Sequence, residues 1–249
     1  MNEVSLPSMP SFRLDGKRAL VTGAGRGIGL AAAAVTLASR SSGEIEQAGA
    51  ALRARGQQAE AWPVDVTDIQ DLAAGIAERE PYDIFFNNAG TNRPNPFVEV
   101  PVEDFDFVMN LNVRAVYFCA QVVARRLLAA GKAGSIINMS SQLGLVGAPN
   151  RSLYCASKWA MEGFSRAMAV ELAPHQIRVN TLCPTFIETP MTRPFFQNTA
   201  FKDSVIGKIK LGRIGTVEDL MGAIVFLAGD AAALMTGSSL VVDGGWTAD

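Results

Sequence analysis

Short apolar runs that alternate with helical patterns restrict the fold of this 249-residue chain more than any other feature. The runs are nearly continuously apolar, as in strands covered on both faces of a parallel sheet, and they lie at 18–22, 59–64, 83–87, 135–139, 177–182 and 239–242. Helical patterns separate them at 44–55, 68–79, 102–130, 154–173 and 217–229, with Thr67 and Thr216 as the expected N-caps. The sequence therefore predicts an α/β fold with a doubly wound, mostly parallel sheet.

No repeat or linker divides the chain, so we expect a single domain over residues 1–249. Residues 1–12 are expected to form a loose N-terminal arm. The segment 190–214 contains two prolines, paired phenylalanines and mixed polarity, which predicts a lid over a substrate.

Composition excludes several classes of function. Hydrophobic residues make up 49% of the chain and charged residues 18%, which excludes a disordered protein. The net charge is −2 with both signs interspersed, so we expect neither a nucleic acid nor a membrane as a partner. Arginines interrupt the apolar stretch 111–130, which favours a core helix over a membrane span. A metal site of several histidines is excluded because His175 is the single histidine, and no metal is expected.

The cysteines indicate a reducing compartment. Cys119, Cys155 and Cys183 are widely spaced, and the chain has no C-x-x-C pair. This usage is typical of reduced thiols in a cytoplasmic protein. The N-terminus also lacks the basic region and apolar run of a secretory signal, so we expect a cytoplasmic location.

A glycine-rich loop follows the first predicted strand directly. Residues 22–29 read T-G-A-G-R-G-I-G, with the spacing T-G-x-x-x-G-x-G rather than G-x-G-x-x-G. Glycines at a strand-to-helix junction let the backbone approach a phosphate closely, and the helix supplies free N–H groups. A flexible turn is the alternative, but the position after the first strand favours a phosphate site.

Polar residues follow two further strands. Asp65 and Val66 come after the 59–64 run, where the carboxylate could meet a ligand or equally cap the next helix. The sequence N-N-A-G at 87–90 ends the following run, where small and amide side chains could line a groove or form an Asx turn.

Tyr154 and Lys158 suggest acid–base chemistry. They are four residues apart in a predicted helix, so they share one face. An ammonium beside a phenol favours the phenolate, so we expect Lys158 to lower the pKa of Tyr154. Ser141 ends the preceding strand and could bind a carbonyl or hydroxyl oxygen there. A surface pair on a helix is the alternative for Tyr154 and Lys158 alone, and Ser141 makes it less favoured.

Together these motifs resemble the classical short-chain dehydrogenases/reductases, over about residues 12–246. The resemblance includes the glycine loop, Tyr154-x-x-x-Lys158 and the sequences N-L-N-V at 110–113, R-V-N at 178–180 and V-D-G-G at 242–245. It implies a Rossmann-like fold and an NAD(P)-dependent oxidoreductase that interconverts a secondary alcohol and a ketone. Within the family the chain resembles gluconate 5-dehydrogenase-like and 3-oxoacyl reductase-like members.

The resemblance also implies roles for individual residues. Tyr154 is the general acid/base, Lys158 binds the nicotinamide ribose and joins a proton relay, Ser141 orients the substrate oxygen, and Asn112 holds the relay water at a helix kink. The residues implied to contact the cofactor are Gly23, Gly27, Ile28, Gly29, Asp65, Val66, Asn88, Ala89, Gly90, Tyr154, Lys158, Pro184, Ile187 and Thr189. Arg26 and Arg40 are expected to join them because of their charge, as argued below.

One region departs from the family pattern. The segment between Gly29 and Arg40 is too short for the usual helix, turn and second strand, because a parallel crossover needs about a dozen residues. Either residues 30–38 form one helix and the second strand is lost, or a very short helix precedes a displaced strand at 35–40. In the second case Arg40 ends that strand and, with Arg26, favours the 2′-phosphate of NADP over NAD.

Polar residues near the expected site predict a hydroxylated substrate, namely a sugar, polyol or sugar acid. They are Asn92, Arg93, Gln142, Arg151 and Thr185. An arginine suits a carboxylate because its planar fork can bind both oxygens, although both arginines could simply be solvated. The alternatives are a 3-oxoacyl thioester reductase and a non-catalytic nucleotide-binding relative. The resemblance further implies a homotetramer, with the predicted helices 102–130 and 154–173 packed across an interface.

Overall fold

A computed structural model describes residues 10–31 and 36–248 of the chain. Its core is a seven-stranded sheet in the order β3-β2-β1-β4-β5-β6-β7, with every adjacent pair parallel. The strands are β1 Ala19–Thr22, β2 Thr36–Ser39, β3 Glu60–Pro63, β4 Ile84–Asn87, β5 Gly134–Met139, β6 Ile177–Pro184 and β7 Ser239–Val242. The predicted doubly wound α/β fold is thereby confirmed.

Helices connect the strands on both sides of the sheet. They are α1 Gly27–Ala31, α2 Ser42–Arg53, α3 Ile69–Ala77, α4 Val102–Met109, α5 Val116–Ala129, α6 Ser152–Leu172, α7 Thr199–Ile206 and α8 Glu218–Ala228. The predicted helix 102–130 is one continuous helix, in which a wide π-helical turn, Asn110–Ala115, joins α4 to α5. All five predicted helical segments therefore exist, with ends that differ by a few residues.

Two apolar clusters cover the two faces of the sheet. On one face α3, α5 and α6 pack through buried residues such as Leu72, Val123 and Leu172. On the other face α2 and α8 contribute Ile45 and Leu227. Both faces are covered, which explains why the strands are continuously apolar.

The short connection between β1 and β2 resolves the two alternatives for residues 30–40. Thr36, Leu37 and Ala38 pair with β1, and β2 also pairs with β3, so the single helix over 30–38 is wrong. A helix of five residues, α1, precedes the strand instead. Arg40 follows the end of β2 directly, whereas Val35 lies outside the described residues.

Both predicted N-caps are wrong, for a common reason. Thr67 donates its backbone N–H and its hydroxyl to Asp65, while the carboxylate of Asp68 caps α3. Thr216 likewise donates its N–H to the Asp219 carboxylate, and the N-cap of α8 is Val217. In both places an aspartate carboxylate, a stronger acceptor than a threonine hydroxyl, accepts the backbone N–H groups at the start of the helix.

The predicted N-terminal arm, residues 1–12, lies mostly outside the described residues; residues 10–12 are exposed. The continuous helix Val102–Ala129 is long and apolar enough to cross a membrane by length and composition alone. The core helix of a globular protein meets the same criteria, and α5 is such a helix because its Val116, Cys119, Ala120 and Val123 are buried against the sheet.

Candidate active site

A cleft opens at the carboxyl ends of the strands, where the order of the sheet reverses between β1 and β4. Parallel α/β sheets place their ligands at this position. Most of the predicted site residues line the cleft: Gly23, Arg26, Gly27, Ile28, Arg40, Val66, Asn88, Ala89, Gly90, Asn92, Ser141, Gln142, Arg151, Tyr154, Lys158, Pro184, Thr185, Ile187 and Thr189. Four do not: Gly29, Asp65, Arg93 and Asn112.

The glycine loop is a cradle that side chains would fill. Gly23 and Gly27 have φ angles of +64° and +60°, which favour glycine. A Cβ atom on Gly23 would lie 3.0 Å from the Ala89 Cα, so the loop and the end of β4 are close together. The Thr22 hydroxyl accepts hydrogen bonds from the N–H groups of Asn88 and Ala89, which fixes that approach. The bare backbone facing the cleft fits the pyrophosphate of a dinucleotide.

Gly29 does not line the cleft but allows close packing of α1 against the glycine loop. A Cβ atom there would overlap the Gly23 carbonyl and lie 2.6 Å from Asn88 Nδ2. The Asn88 carboxamide in turn donates to the carbonyls of Thr22 and Gly23. Gly29 therefore lets the start of α1 lie directly against the loop.

Two arginines stand at the end of the cleft formed by β2 and α2. Arg40 Nη1 lies 3.8 Å from Asp65 Oδ2, and Arg26 Nη1 lies 3.9 Å from Glu44 Oε1. All four side chains are largely solvent-exposed, so these pairs are weak. Asp65 itself accepts from the Thr67 hydroxyl at 2.8 Å and does not line the cleft. It does not cap α3, whose N-cap is Asp68, so the capping alternative for Asp65 is wrong.

The other end of the cleft holds Tyr154, Lys158 and Ser141. Lys158 Nζ donates to the Met139 carbonyl at 2.6 Å and lies 5.5 Å from the centre of the Tyr154 ring. The Ser141 hydroxyl donates to Gln142 Oε1 at 2.7 Å and accepts from the Leu143 N–H. The end of β5 and the first turns of α6 therefore bring the three side chains to one wall, as the motif implied.

The expected lowering of the Tyr154 pKa is not what this arrangement produces. Burial raises the pKa of Tyr154 to about 12, and a hydrogen bond with Ser141 opposes the rise only in part. Burial also lowers the pKa of Lys158 to about 8. The Lys158 ammonium donates to the Met139 carbonyl, and burial is the largest influence on the pKa of both groups.

Asn112 lies behind this wall, in the π-helical turn. Its carboxamide accepts from the Thr91 N–H and donates to the Thr91 carbonyl, both at 2.8 Å, and donates to Ser157 Oγ at 3.1 Å. These bonds tie the turn to the loop after β4 and to α6. A Cβ atom on Gly90 would lie 3.4 Å from Asn112 Oδ1 and 3.9 Å from Lys158 Nζ, so the amide is close to the lysine.

The predicted substrate residues divide into two groups. Asn92, Gln142, Arg151 and Thr185 line the cleft near Tyr154, and two of them carry buried polar atoms without a protein partner, Asn92 Oδ1 and Thr185 Oγ1. Arg93 is turned away, since it pairs with Asp104 at 2.5 Å and lies over the Phe107 ring. Buried polar atoms without partners are rare in folded proteins and point to a polar ligand.

Sequence reasoning missed an aromatic wall of the cleft. The centre of the Phe186 ring lies 5.7–6.0 Å from the ring centres of Phe196, Phe201 and Trp246. Phe186 and Phe195 both line the cleft. The paired phenylalanines at 195–196 supported the prediction of a lid, but their sequence pattern does not predict a contact with Phe186. Glu44 beside Arg26 was also missed, because nothing in a helical pattern shows that its first turn faces a loop 18 residues away.

Comparison with known proteins gives consistent matches over nearly the whole chain. Residues 23–247 match a family model described as enoyl-(acyl carrier protein) reductase. The chain is 38% identical to L-xylulose reductase of Bos taurus over 245 residues, covering 95% of this chain and 99% of that protein. It is also 38% identical to gluconate 5-dehydrogenase of Gluconobacter oxydans over 248 residues, covering 95% and 96%.

A solved structure of gluconate 5-dehydrogenase from Burkholderia cenocepacia, in complex with NADP and tartrate, shares the fold. Its TM-score to this chain is 0.93 at 34% sequence identity, covering 97% of this chain and 99% of that one.

Proposed function

Because this chain belongs to the short-chain dehydrogenase/reductase family and is an NAD(P)-dependent oxidoreductase acting on CH–OH groups, we propose that its substrate is a sugar, polyol or sugar acid. The observation that carries the proposal is the polar lining of the cleft: Asn92 and Thr185 both line it, and their buried atoms Asn92 Oδ1 and Thr185 Oγ1 have no partner among the described residues. Leaving such atoms unpaired costs about 1–3 kcal/mol each, and hydroxyl groups of a carbohydrate would satisfy them.

The names of the relatives support a carbohydrate. The relatives reported above act on L-xylulose and on gluconate by name, and a further one, 37% identical, is D-erythrulose reductase of Gallus gallus. These three names share a carbon chain that carries several hydroxyl groups. A cleft that presents amides, a hydroxyl and a guanidinium is suited to such a chain.

Each residue of the site has a separate role in the reaction. A nicotinamide cofactor, when bound, would take up or supply the hydride at the reacting carbon, so that CH–OH and NAD(P)⁺ would be converted to C=O, NAD(P)H and a proton. Tyr154 holds or releases the proton of the reacting oxygen, and Ser141 orients that oxygen. Lys158 binds the ribose next to the phenol, and Asn112 ties α6 to the loop after β4 through its bonds to Ser157 and Thr91. A raised pKa keeps Tyr154 protonated near neutral pH, as a proton donor to a carbonyl must be.

A reductase screen tests the substrate class. The purified protein with NADPH is offered L-xylulose, 5-keto-D-gluconate and acetoacetyl thioesters of N-acetylcysteamine or coenzyme A. We expect turnover of at least one carbohydrate and none of the thioesters. Thioester reduction without carbohydrate reduction would establish the alternative, a 3-oxoacyl thioester reductase, and overturn the proposal.

The preferred cofactor is NADP. Arg40 and Arg26 line the cleft at the end of β2, where neither partner carboxylate holds its arginine within 3.5 Å. Their guanidinium groups are suited to a 2′-phosphate, since charge-assisted bonds to phosphate are strong. Asp65 has its Oδ1 bonded to Thr67, which weakens it as an acceptor for a free 2′-hydroxyl.

Fluorescence titration of NADPH and NADH tests this preference. We expect Arg40→Ala to weaken NADPH binding by roughly tenfold, the value of one charge-assisted hydrogen bond, and to leave NADH binding almost unchanged. Arg55→Ala, beyond the far end of α2, is the matched control. An unchanged affinity for NADPH in Arg40→Ala, or tighter binding of NADH than of NADPH by the wild type, would remove Arg40 from the site.

The remaining expectations concern the whole chain. The protein is a cytoplasmic homotetramer with one domain over residues 1–249, and residues 190–214 form its substrate lid. Cys119, Cys155 and Cys183 are all free thiols, which suits a reducing compartment. Phe195 and Met191 of the lid line the cleft, which is where a lid must reach.

A further inference from the structure

Arg151 is a buried cation in the cleft without an acidic partner among the described residues. Its exposed fraction is 8%, and its one protein hydrogen bond runs from Nη1 to the Asn150 carbonyl at 3.1 Å. The other arginines of the cleft, Arg26 and Arg40, each lie within 4 Å of a carboxylate. Most of the five N–H donors of Arg151 are therefore left without a protein acceptor.

The surroundings of Arg151 make this arrangement costly unless a ligand compensates for it. Burial lowers the pKa of Arg151, which reflects the loss of water around its charge. The guanidinium lies 5.9 Å from the ring centres of both Phe195 and Phe201, so aromatic rings from the segment after β6 cover it. A largely buried charge without a counterion is less favourable than one that is paired with an anion. A bound anion would compensate the Arg151 guanidinium for the water that burial removes.

The position of Arg151 relates it to the reacting group. It is the N-cap residue of α6, three residues before Tyr154, and both side chains line the same cleft. The rigid start of α6 therefore fixes the guanidinium relative to the phenol. A substrate held by Arg151 would have its carbon chain directed along the wall that contains Tyr154.

Arg93, the second arginine predicted for the substrate, cannot take this role in the same way. Its guanidinium is committed to Asp104 at 2.5 Å and to the Phe107 ring at 4.4 Å, and it does not line the cleft. A carboxylate would have to compete with Asp104 for it. Of the two arginines, only Arg151 presents unpaired donors to the cleft.

We propose that Arg151 binds the carboxylate of the substrate through its unpaired N–H donors, so that the enzyme acts on a sugar acid, a hydroxy or keto aldonate, in preference to a neutral sugar. This rests on the proposed carbohydrate oxidoreductase function. The planar guanidinium can contact both carboxylate oxygens, and the adjacent aromatic rings exclude water from that pair.

Paired substrates with and without a carboxylate test the proposal. Reduction of 5-keto-D-gluconate and of L-xylulose by NADPH is measured for the wild type, Arg151→Gln, Arg151→Lys and the surface control Arg55→Gln. We expect Arg151→Gln to lower kcat/KM about 100-fold for the keto acid, the cost of removing one partner of a buried charge pair, and less than threefold for xylulose. Arg151→Lys should recover part of the loss, and Arg55→Gln should match the wild type.

Equal losses on both ketones would mean that Arg151 supports the shape of the site, which would overturn the proposal. A wild-type enzyme that reduces L-xylulose but not 5-keto-D-gluconate would also overturn it. So would a loss on the keto acid that is larger in Arg93→Gln than in Arg151→Gln.

Tartrate binding gives a readout that does not depend on turnover. The increase in melting temperature with tartrate is measured in the presence of saturating NADP. We expect tartrate to stabilise the wild type and Arg55→Gln, and to stabilise Arg151→Gln at no less than tenfold higher concentration. Equal stabilisation of wild type and Arg151→Gln would overturn the proposal. If the wild type reduces neither ketone but the tartrate effect depends on Arg151, the carboxylate site stands and the proposed carbohydrate function fails.

Discussion

At the residue scale, burial controls the protonation of the two groups on α6 that face the cleft. The phenol of Tyr154 remains neutral over the whole neutral range, since burial raises its pKa to about 12. The ammonium of Lys158 loses its proton more easily, because burial lowers its pKa to about 8 and the Met139 carbonyl is its one hydrogen-bond acceptor among the described residues. The protein by itself therefore presents a proton donor beside a weakly held positive charge.

Replacing Tyr154 by phenylalanine separates catalysis from binding. The substitution removes the phenol oxygen and keeps the ring, so the packing of α6 is unchanged. We expect ketone reduction to fall at least 10²–10⁴-fold, the usual contribution of a general acid, while the NADPH affinity stays within about threefold on the scale of a lost neutral hydrogen bond. Near wild-type turnover in a steady-state assay would contradict the role assigned to Tyr154.

Lys158 should make the stability of the protein depend on pH. Its pKa is about 8 in the folded chain and near 10.5 in an unfolded one, so the unfolded state binds more protons between these values and stability rises with pH there. Burial of the charged ammonium lowers the free energy of unfolding by at most roughly 3 kcal/mol. This destabilisation is fully present below pH 8 and disappears by about pH 10.5. Lys158→Met lacks it, so the free energy of unfolding of the wild type relative to the variant should increase from pH 7.5 to 9.5 in urea titrations without cofactor.

Tyr154→Phe is the control for that pH range. Tyr154 gains its proton affinity in the folded state, so its contribution is lost only as the pH rises above about 10. The difference between wild type and Tyr154→Phe should thus stay constant from pH 7.5 to 9.5. A constant difference for Lys158→Met as well would show that Lys158 is solvated.

At the scale of elements, close approach between backbone segments shapes the cofactor end of the cleft. The start of α1 lies against the loop after β1, and that loop lies against the end of β4. Glycines at 23 and 29 permit both contacts. The position of the cleft thus depends on three closely packed chain segments, which the side chains of Thr22 and Asn88 hold together by hydrogen bonds.

Gly29→Ala tests this packing. Its Cβ would overlap the Gly23 carbonyl, a backbone atom that cannot rotate away. We expect the free energy of unfolding to fall by about 1–3 kcal/mol, as in other overpacked sites, together with weaker NADPH binding. Gly43→Ala is the matched control, because a Cβ in that helical position meets open space, and it should stabilise the protein by about 0.5 kcal/mol. An unchanged melting curve for Gly29→Ala would show that the loop can shift.

The strands and motifs were predictable because local pattern and fold agree there. Continuous apolar runs gave six of the seven strands, and residues just after strand ends meet in the cleft by the geometry of a parallel sheet. β2 was ambiguous, since V-T-L-A suits a helix or a strand. Pairing with Leu20 on one side and Glu60 on the other decides it, and neither contact is visible in the local sequence.

The remaining differences also arise from contacts that are distant or competitive. Thr67 and Thr216 are good caps in isolation, but the carboxylates of Asp68 and Asp219 accept the backbone N–H groups at the start of each helix instead. Arg93 comes shortly after the family-like N-A-G sequence, but its guanidinium forms an ion pair with Asp104 at the start of α4 and so does not line the cleft. The pKa of Tyr154 depends on how deeply the phenol is buried, which a four-residue spacing cannot reveal.

At the scale of the whole molecule, apolar side chains remain exposed on the faces of α4 and α6. Val102 and Phe105 are 71% and 48% exposed, and an apolar groove lies between them and Leu153 of α6. Trp159, further along α6, is also exposed. Contiguous apolar surface of this kind is typical of a subunit interface, which supports the proposed homotetramer.

Light scattering after size-exclusion chromatography tests the assembly. We expect the wild type to have about four times the 26.5 kDa mass of the chain, and Phe105→Glu to lower it, because a carboxylate in an apolar interface is unfavourable by several kcal/mol. Gln47→Glu on the exposed face of α2 adds the same charge elsewhere and should leave the mass unchanged. A wild type that elutes as a monomer at micromolar concentration would rule out the tetramer.

The short connection between β1 and β2 has a consequence for how the chain folds. Leu20 pairs with Thr36 only 16 positions later, whereas Ser135 of β5 pairs with Arg178 of β6 43 positions later. Closing the shorter loop costs about 1 kcal/mol less chain entropy, and local contacts tend to form early. We expect the amides of β1 and β2 to gain protection from hydrogen exchange before those of β5 and β6 during refolding, so that the phosphate loop is in place before the wall that carries Tyr154.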